Sequence, residues 1–204
     1  MTEDTLENII AEASEDLGIA LSARQASRSA LFLRILARWN RKISLTSVSD
    51  QRELVRHHLF EGFLAEKLLP FPVAGIADIG SGAGFPGIPM HILNPSRPTI
   101  LLEKSLKKAT FLSAALRELA LPGRVMNSFS EEADIWKQTE MATVRALRLS
   151  EQTLSLLRDA GISLLVLEGK ESQLSGKPWD AIMEKRIPLT ENRWIRIFRP
   201  RCFT

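Results

Sequence analysis

The sequence predicts an α/β fold: a doubly wound, mostly parallel sheet covered by helices on both faces, behind a helical N-terminal extension. Three observations carry this expectation. After Pro72 short apolar runs alternate with amphipathic stretches, the first 70 residues show helical periodicity, and a glycine-rich loop follows the first apolar run. The links between runs are long enough for right-handed crossovers. At 204 residues, 45% hydrophobic and 25% charged, the chain suits one domain with a small extension. We place the extension at 1–70 and the domain at 71–204, as one structural unit.

Within the extension, Leu6, Ile9, Ile10, Ala13 and Leu17 share one helical face, and Gly18 stops that helix. Ser22 caps a second helix with an apolar face of Leu31, Ile35, Leu36 and Trp39; Arg24, Arg28, Arg34, Arg38 and Arg41 dominate its polar side. Asp50, with Glu53 three positions later, resembles a capping box, opening a helix through Leu54, Leu59, Phe63 and Leu68 that ends at Pro70. Further on, strands are expected at Ile76–Ile79, Thr99–Leu102, Arg124–Asn127, Ala142–Arg145 and Ser163–Leu167. Helices are expected after the glycine loop, from Ser105 and from Ser150, while Trp179–Ile187 and Arg193–Phe198 form a closing pair with an antiparallel member.

Composition excludes several classes. The single cysteine, Cys202, allows no disulfide framework and has no catalytic-cysteine context. No apolar run approaches the roughly 18 residues of a membrane span. The acidic N-terminus lacks the basic-then-apolar layout of a secretory signal, so we expect a cytoplasmic protein without a membrane partner. His57, His58 and His91 lack metal-ligand spacing, and no metal is expected. The net charge of +3 is polarised: −6 over residues 1–20, +5 over 21–70, zero over 71–140 and +4 over 141–204.

The strongest local signal is Asp78-Ile-Gly80-Ser-Gly82-Ala-Gly84-Phe-Pro-Gly87, between the first strand and a helix. Its glycines admit positive φ angles and let a ligand approach the backbone. Gly82-Ala-Gly84-Phe-Pro-Gly87 also satisfies the dinucleotide fingerprint G-x-G-x-x-G. Pro86, however, removes one N–H that a pyrophosphate would want at the helix start, and Asp78 suits a cationic or hydroxyl-rich ligand better than a dianion. Acid-x-Gly-x-Gly-x-Gly is instead the first motif of S-adenosylmethionine-dependent methyltransferases, and we prefer that cofactor to NAD. Glu103, 25 residues after Asp78 at the end of the second strand, can accept from two ribose hydroxyls and supports an adenosine ligand of either kind. Ser128-Phe-Ser130-Glu131, after the third strand, is placed to frame an adenine ring.

These residues, with Trp39-Asn40, Leu45-Thr46-Ser47-Val48, Leu54-Val55-Arg56-His57, Ile88-Pro89, Lys107-Lys108 before Phe111-Leu112, and Arg145-Ala146, resemble the bacterial small-subunit ribosomal RNA guanine-N7 methyltransferases. That family is RsmG, also called glucose-inhibited division protein B. The resemblance runs from about residue 30 to 170. It implies a seven-stranded class I S-adenosylmethionine-dependent methyltransferase fold, transfer of a methyl group to nitrogen 7 of a guanine in small-subunit (16S) rRNA, and no DNA partner. It also implies cofactor contacts at Gly80, Phe85, Ser130, Glu131 and Arg145 beside Asp78, Gly82, Gly84 and Glu103, with Lys107 and Lys108 facing RNA. Nitrogen 7 carries a lone pair and no proton, so the reaction needs no general base and no catalytic acid or base is assigned. We expect the arginine-rich second helix and Lys104, Lys107 and Lys108 to share the RNA surface. Three positions depart from the family: its His-x-x-Asp-Ser reads His57-His-Leu-Phe60-Glu61, Phe129 stands where Arg is frequent, and Glu168 replaces a common Lys. They motivate the alternatives of another methyl acceptor or an inactive cofactor-binding relative; an NAD-dependent oxidoreductase ranks last.

Overall fold

The structure, a computed structural model, describes residues 5–127, 133–188 and 190–201. Seven strands form one sheet: β1 (Ile76–Ile79), β2 (Thr99–Leu102), β3 (Arg124–Met126), β4 (Met141–Arg145), β5 (Ser163–Glu168), β6 (Trp179–Arg186) and β7 (Trp194–Pro200). Their order is β3-β2-β1-β4-β5-β7-β6, parallel except for β7, which runs antiparallel to both β5 and β6. The chain order reverses between β1 and β4. A crevice opens beyond the carboxyl ends of strands at such a switch point, and the glycine loop leaves β1 there.

The helices are α1 (Leu6–Asp16), α2 (Ala23–Asn40), α3 (Gln51–Leu54), α4 (Phe60–Lys67), α5 (Gly87–Leu93), α6 (Leu106–Glu118), α7 (Ala133–Lys137) and α8 (Glu151–Asp159). Their starts follow side-chain caps. Thr5 accepts from Asn8 N–H, Ser22 and Gln25 form a reciprocal capping box, Asp50 accepts from Glu53 N–H and Ser150 from Thr153 N–H. Between α3 and α4 lies a π turn, Val55–Leu59, in which Phe60 N–H reaches back five residues to the Val55 carbonyl.

Alternation along the strands divides the core. Ala77, Ile79, Ile100, Leu102, Ala142, Val144, Leu164 and Val166 face α7 and α8. On the opposite face, Leu101 meets a cluster that joins α1, α2, α4, α5 and α6, including Phe32, Phe63, Ile88 and Phe111. Phe32 packs edge-on against Phe85, and Trp39 against Phe111. The N-terminal helices are therefore one layer of the sheet's own core. One sequence expectation is corrected: Leu31 is exposed, because the inward face of α2 is built from Phe32, Leu33, Ile35 and Leu36. The five-residue α7 was not foreseen.

Candidate active site

The glycine loop is shaped by its own backbone. Gly80, Gly82 and Gly84 all have positive φ (71°, 53° and 89°), and the N–H groups of Gly80 and Ser81 both donate to the Leu102 carbonyl. A Cβ added at Gly82 would meet nothing nearer than the Gly80 carbonyl at 3.7 Å, so this part of the loop is an open backbone surface. Its N–H donates to Glu103 Oε2 at 2.9 Å, and Glu103 Oε1 accepts from Ser105 N–H at 2.8 Å. One carboxylate thus sits at the C-terminal end of β2 and ties the loop to the start of α6. Each of its oxygens keeps a lone pair for a further donor.

Asp78 has a different place from the one expected. It is fully buried; Oδ2 accepts from Gly87 N–H at 3.2 Å and Oδ1 from the Thr143 hydroxyl at 2.8 Å. Burial pushes its carboxyl up to about 6, against the pull of those hydrogen bonds. It locks β1, β4 and α5 together beneath the loop, and its oxygens face those partners. The Phe85 ring is buried between Phe32 and His58, so what this residue presents to the loop is its backbone. Ser130 and Glu131, with Phe129, lie outside the described residues. Asn127, just before them, donates to the Glu103 and Lys104 carbonyls and joins the ends of β3 and β2.

Arg145, at the end of β4, belongs to a cluster that sequence reasoning missed. Its Nε lies 3.3 Å from Glu61 Oε2, and its terminal nitrogen donates to the His57 carbonyl. Arg193 approaches the same carboxylate at 2.8 Å. Burial pushes the Glu61 carboxyl up to about 6 while both guanidiniums pull it down. His58 lies beside this group, its ring 5.3 Å from Phe85, with a buried Nδ1 that has no partner among the described residues. Burial, then Arg145, Arg193 and His57, push it down to about 3, so it is neutral at physiological pH. The signal for Glu61 was present. His58-Leu-Phe-Glu61 repeats the His-x-x-acid spacing one residue later, and the π turn winds in the extra residue. Phe60 carries no acid, but Glu61 directly after it meets Arg145 and Arg193. Similarly, Glu168 forms an ion pair at 3.2 Å with buried Arg196, a guanidinium that it shares with Glu184.

The start of α5 discriminates between the two cofactors. Pro86 and Pro89 have no N–H, Gly87 donates to Asp78, Ile88 to the Gly84 carbonyl and Met90 to the Pro86 carbonyl. A pyrophosphate would find no free donor at those positions, whereas a ribose diol finds Glu103 and an open glycine backbone. The residues fit S-adenosylmethionine.

The family GidB, rRNA small subunit methyltransferase G, matches residues 25–189. The chain belongs to this family. As a GidB-family protein it is an S-adenosylmethionine-dependent methyltransferase. Among similar proteins, Ribosomal RNA small subunit methyltransferase G of Xanthomonas campestris is 38% identical over 156 residues, covering 74% of this chain and 72% of the relative. The Halorhodospira halophila protein of that name is 35% identical, covering 78% and 77%, and the Streptococcus pneumoniae protein is 30% identical, covering 84% and 75%. Of solved structures, M. capricolum TrmK in complex with S-adenosyl-homocysteine superposes with a TM-score of 0.52 at 15% identity, covering 70% of this chain and 68% of that one. The B. subtilis M1A22 tRNA methyltransferase TrmK gives 0.52 at 14% identity, covering 68% and 64%. At that identity both speak for the fold. Among the described residues no helix is long and apolar enough to cross a membrane.

Lys107 and Lys108 occupy the first turn of α6, directly beyond Glu103. The α2 arginines expected to share the RNA surface have partners of their own. Arg38 pairs with Glu118 and Arg28 donates to the Ala120 carbonyl, both at the far end of α6, while Arg34 pairs with Glu7. Eleven residues of helix separate Lys107 from Glu118, roughly 16 Å.

Proposed function

We propose that this GidB-family enzyme methylates nitrogen 7 of a guanine in small-subunit ribosomal RNA, in the cytoplasm where that RNA is found. Family membership over residues 25–189 is the observation that carries the reading. Glu103 would hold the ribose hydroxyls, the Gly80, Gly82 and Gly84 backbone would seat the cofactor, and Asp78 would position that backbone. When bound, S-adenosylmethionine supplies an electrophilic methyl group on a sulfonium sulfur. The protein's part is then to orient and to exclude water. Nitrogen 7 attacks with its own lone pair, so no proton has to leave the base before transfer. His58, neutral and shut in against Phe85, and Arg145, held by Glu61, suit such a site: they present fixed polarity without titrating near neutrality. Holding the nucleophile and methyl group in line supplies up to about 7–11 kcal/mol of the barrier reduction. Lys107 and Lys108 would contact RNA phosphates. The helix dipole favours acids at that end, so two lysines there are accepted at a cost that an anionic partner offsets.

The test is the N7-methylguanine content of digested small-subunit rRNA from cells with and without the gene. The modified base is expected to fall in the deletion strain and return on complementation. An unchanged level would refute the reading.

A further inference from the structure

Beyond β4 and β5, next to the glycine loop, the loops 146–149 and 168–173 enclose a cleft of about 250 Å³ lined by Ala146, Leu147, Arg148, Glu168, Gly169 and Gln173. The Leu147 side chain forms the wall shared with the glycine loop: its Cδ2 would stand 2.7 Å from a Cβ on Gly80. Small-molecule sites run from about 300 Å³ upward, so this space suits one planar base. We propose that this cleft seats the target guanine and that Glu168 reads its N1–H and N2–H edge, a specificity role that rests on the function proposed above.

Three features argue for it. The walls are preorganised. Gln173 accepts from Leu149 N–H at 3.0 Å and donates to the Leu147 carbonyl at 3.2 Å, while Arg196 donates to the Gly169 and Lys170 carbonyls. Ala146 is held at φ +51°, a left-handed conformation costly for a residue with a Cβ, at the junction of β4 and the cleft. Most telling is the sharing of Arg196. Arg196 is shared by two carboxylates, Glu184 at 2.5 Å and Glu168 at 3.2 Å, so Glu168 holds only part of that guanidinium. Glu184 is half exposed and solvated, whereas the Glu168 side chain is only 9% exposed and borders the cleft. A sequestered carboxylate with unfilled lone pairs wants donors.

Glu168 has the valence to take them. Oε1 accepts from Arg196 and Oε2 from Gln173 N–H at 3.1 Å, leaving about one lone pair on each oxygen. Guanine offers two parallel donors, N1–H and N2–H. Adenine places a lone pair where guanine has N1–H, and inosine lacks the second donor. Enzymes that modify a flipped base read its Watson–Crick edge in this way, and that grip leaves nitrogen 7 free to react.

Amide chemical shifts of the ¹⁵N-labelled full chain, titrated with guanosine, inosine and adenosine 5′-monophosphates, test the proposal. Guanosine monophosphate should move the amides of Ala146, Leu147, Gly169 and Gln173, binding several-fold more tightly than inosine monophosphate and at least about tenfold more tightly than adenosine monophosphate. Glu168→Gln should erase the guanine preference. Glu184→Gln, which disturbs Arg196 from the solvent side, should keep it. Shifts centred elsewhere, equal affinities in the wild-type chain, no shifts with any nucleotide, or an unaltered preference in a folded Glu168→Gln variant would overturn it. Unchanged rRNA methylation on gene deletion refutes the function instead, and leaves this binding measurement standing.

Discussion

His58 is a group that folding strips of its proton. Arg145, Arg193 and His57 surround it, burial denies it water, and its pKa drops from 6.5 to about 3. The unfolded chain therefore binds one more proton than the folded chain between those values. Stability contributed here is full above about 6.5 and is lost as pH falls. Asp78 works in the opposite sense: raised from 3.8 to about 6, it makes stability fall as pH rises through that window. Comparing chemical denaturation at pH 7.5 and 5.5 for wild type and His58→Asn isolates the imidazole. The variant should lose about 1 kcal/mol less than wild type on acidification. Equal losses would mean that His58 is protonated in the folded chain. None of this was legible in the sequence, where His57, His58 and His91 showed only a lack of metal-ligand spacing. Its Nδ1, without a partner among the described residues, is enclosed because His58 packs over Phe85, a contact that no local spacing encodes.

At the scale of elements, the glycine loop and α5 do two separable jobs. Gly82 is open to the crevice, whereas Gly87 is wedged: an added Cβ would lie 2.6 Å from Asp78 Oδ2 and 2.7 Å from Leu101 Cδ2. Gly87→Ala therefore strikes the core. We expect a loss of about 1–3 kcal/mol by thermal or chemical denaturation, from overpacking beneath the loop. Gly82→Ala meets no neighbour but must hold φ +53°, a strain of about 1 kcal/mol, and its methyl group projects where the ligand would lie. Calorimetry with S-adenosylmethionine should show at least a tenfold weaker affinity in a chain that still folds. Normal cofactor affinity in Gly82→Ala would remove the loop from the site. The strands and this loop could be read from sequence because apolar runs and glycines act locally. The π turn could not: it is one residue of slack whose value appears only when Glu61 meets Arg145 and Arg193. The misplacement of Leu31 on the inward face of α2 has the same origin, since Phe32 turns inward to meet Phe85 from a segment more than fifty residues away.

For the whole molecule, the polarised charge seen in the sequence resolves into two kinds. The acidic first helix is answered internally: Glu7, Glu12 and Asp16 pair with Arg34, Arg52 and Arg56, which accounts for much of the basic surplus over residues 21–70. Each exposed pair contributes little to stability, but together they spend arginines that composition alone would assign to RNA. Lys107 and Lys108 are placed otherwise, at the sheet edge that carries the glycine loop. If they neutralise two phosphates, the slope of log affinity against log salt for small-subunit rRNA should shrink in magnitude by about 1.4–1.8 in the double variant Lys107→Gln/Lys108→Gln. Affinity should also fall at low salt. Arg28→Gln/Arg38→Gln, at the other end of α6, should leave the slope unchanged. A filter-binding or anisotropy series over a range of salt concentrations decides it: equal slopes for wild type and the lysine pair, or a greater loss from the arginine pair, would move the RNA surface to the face where α2 crosses α6.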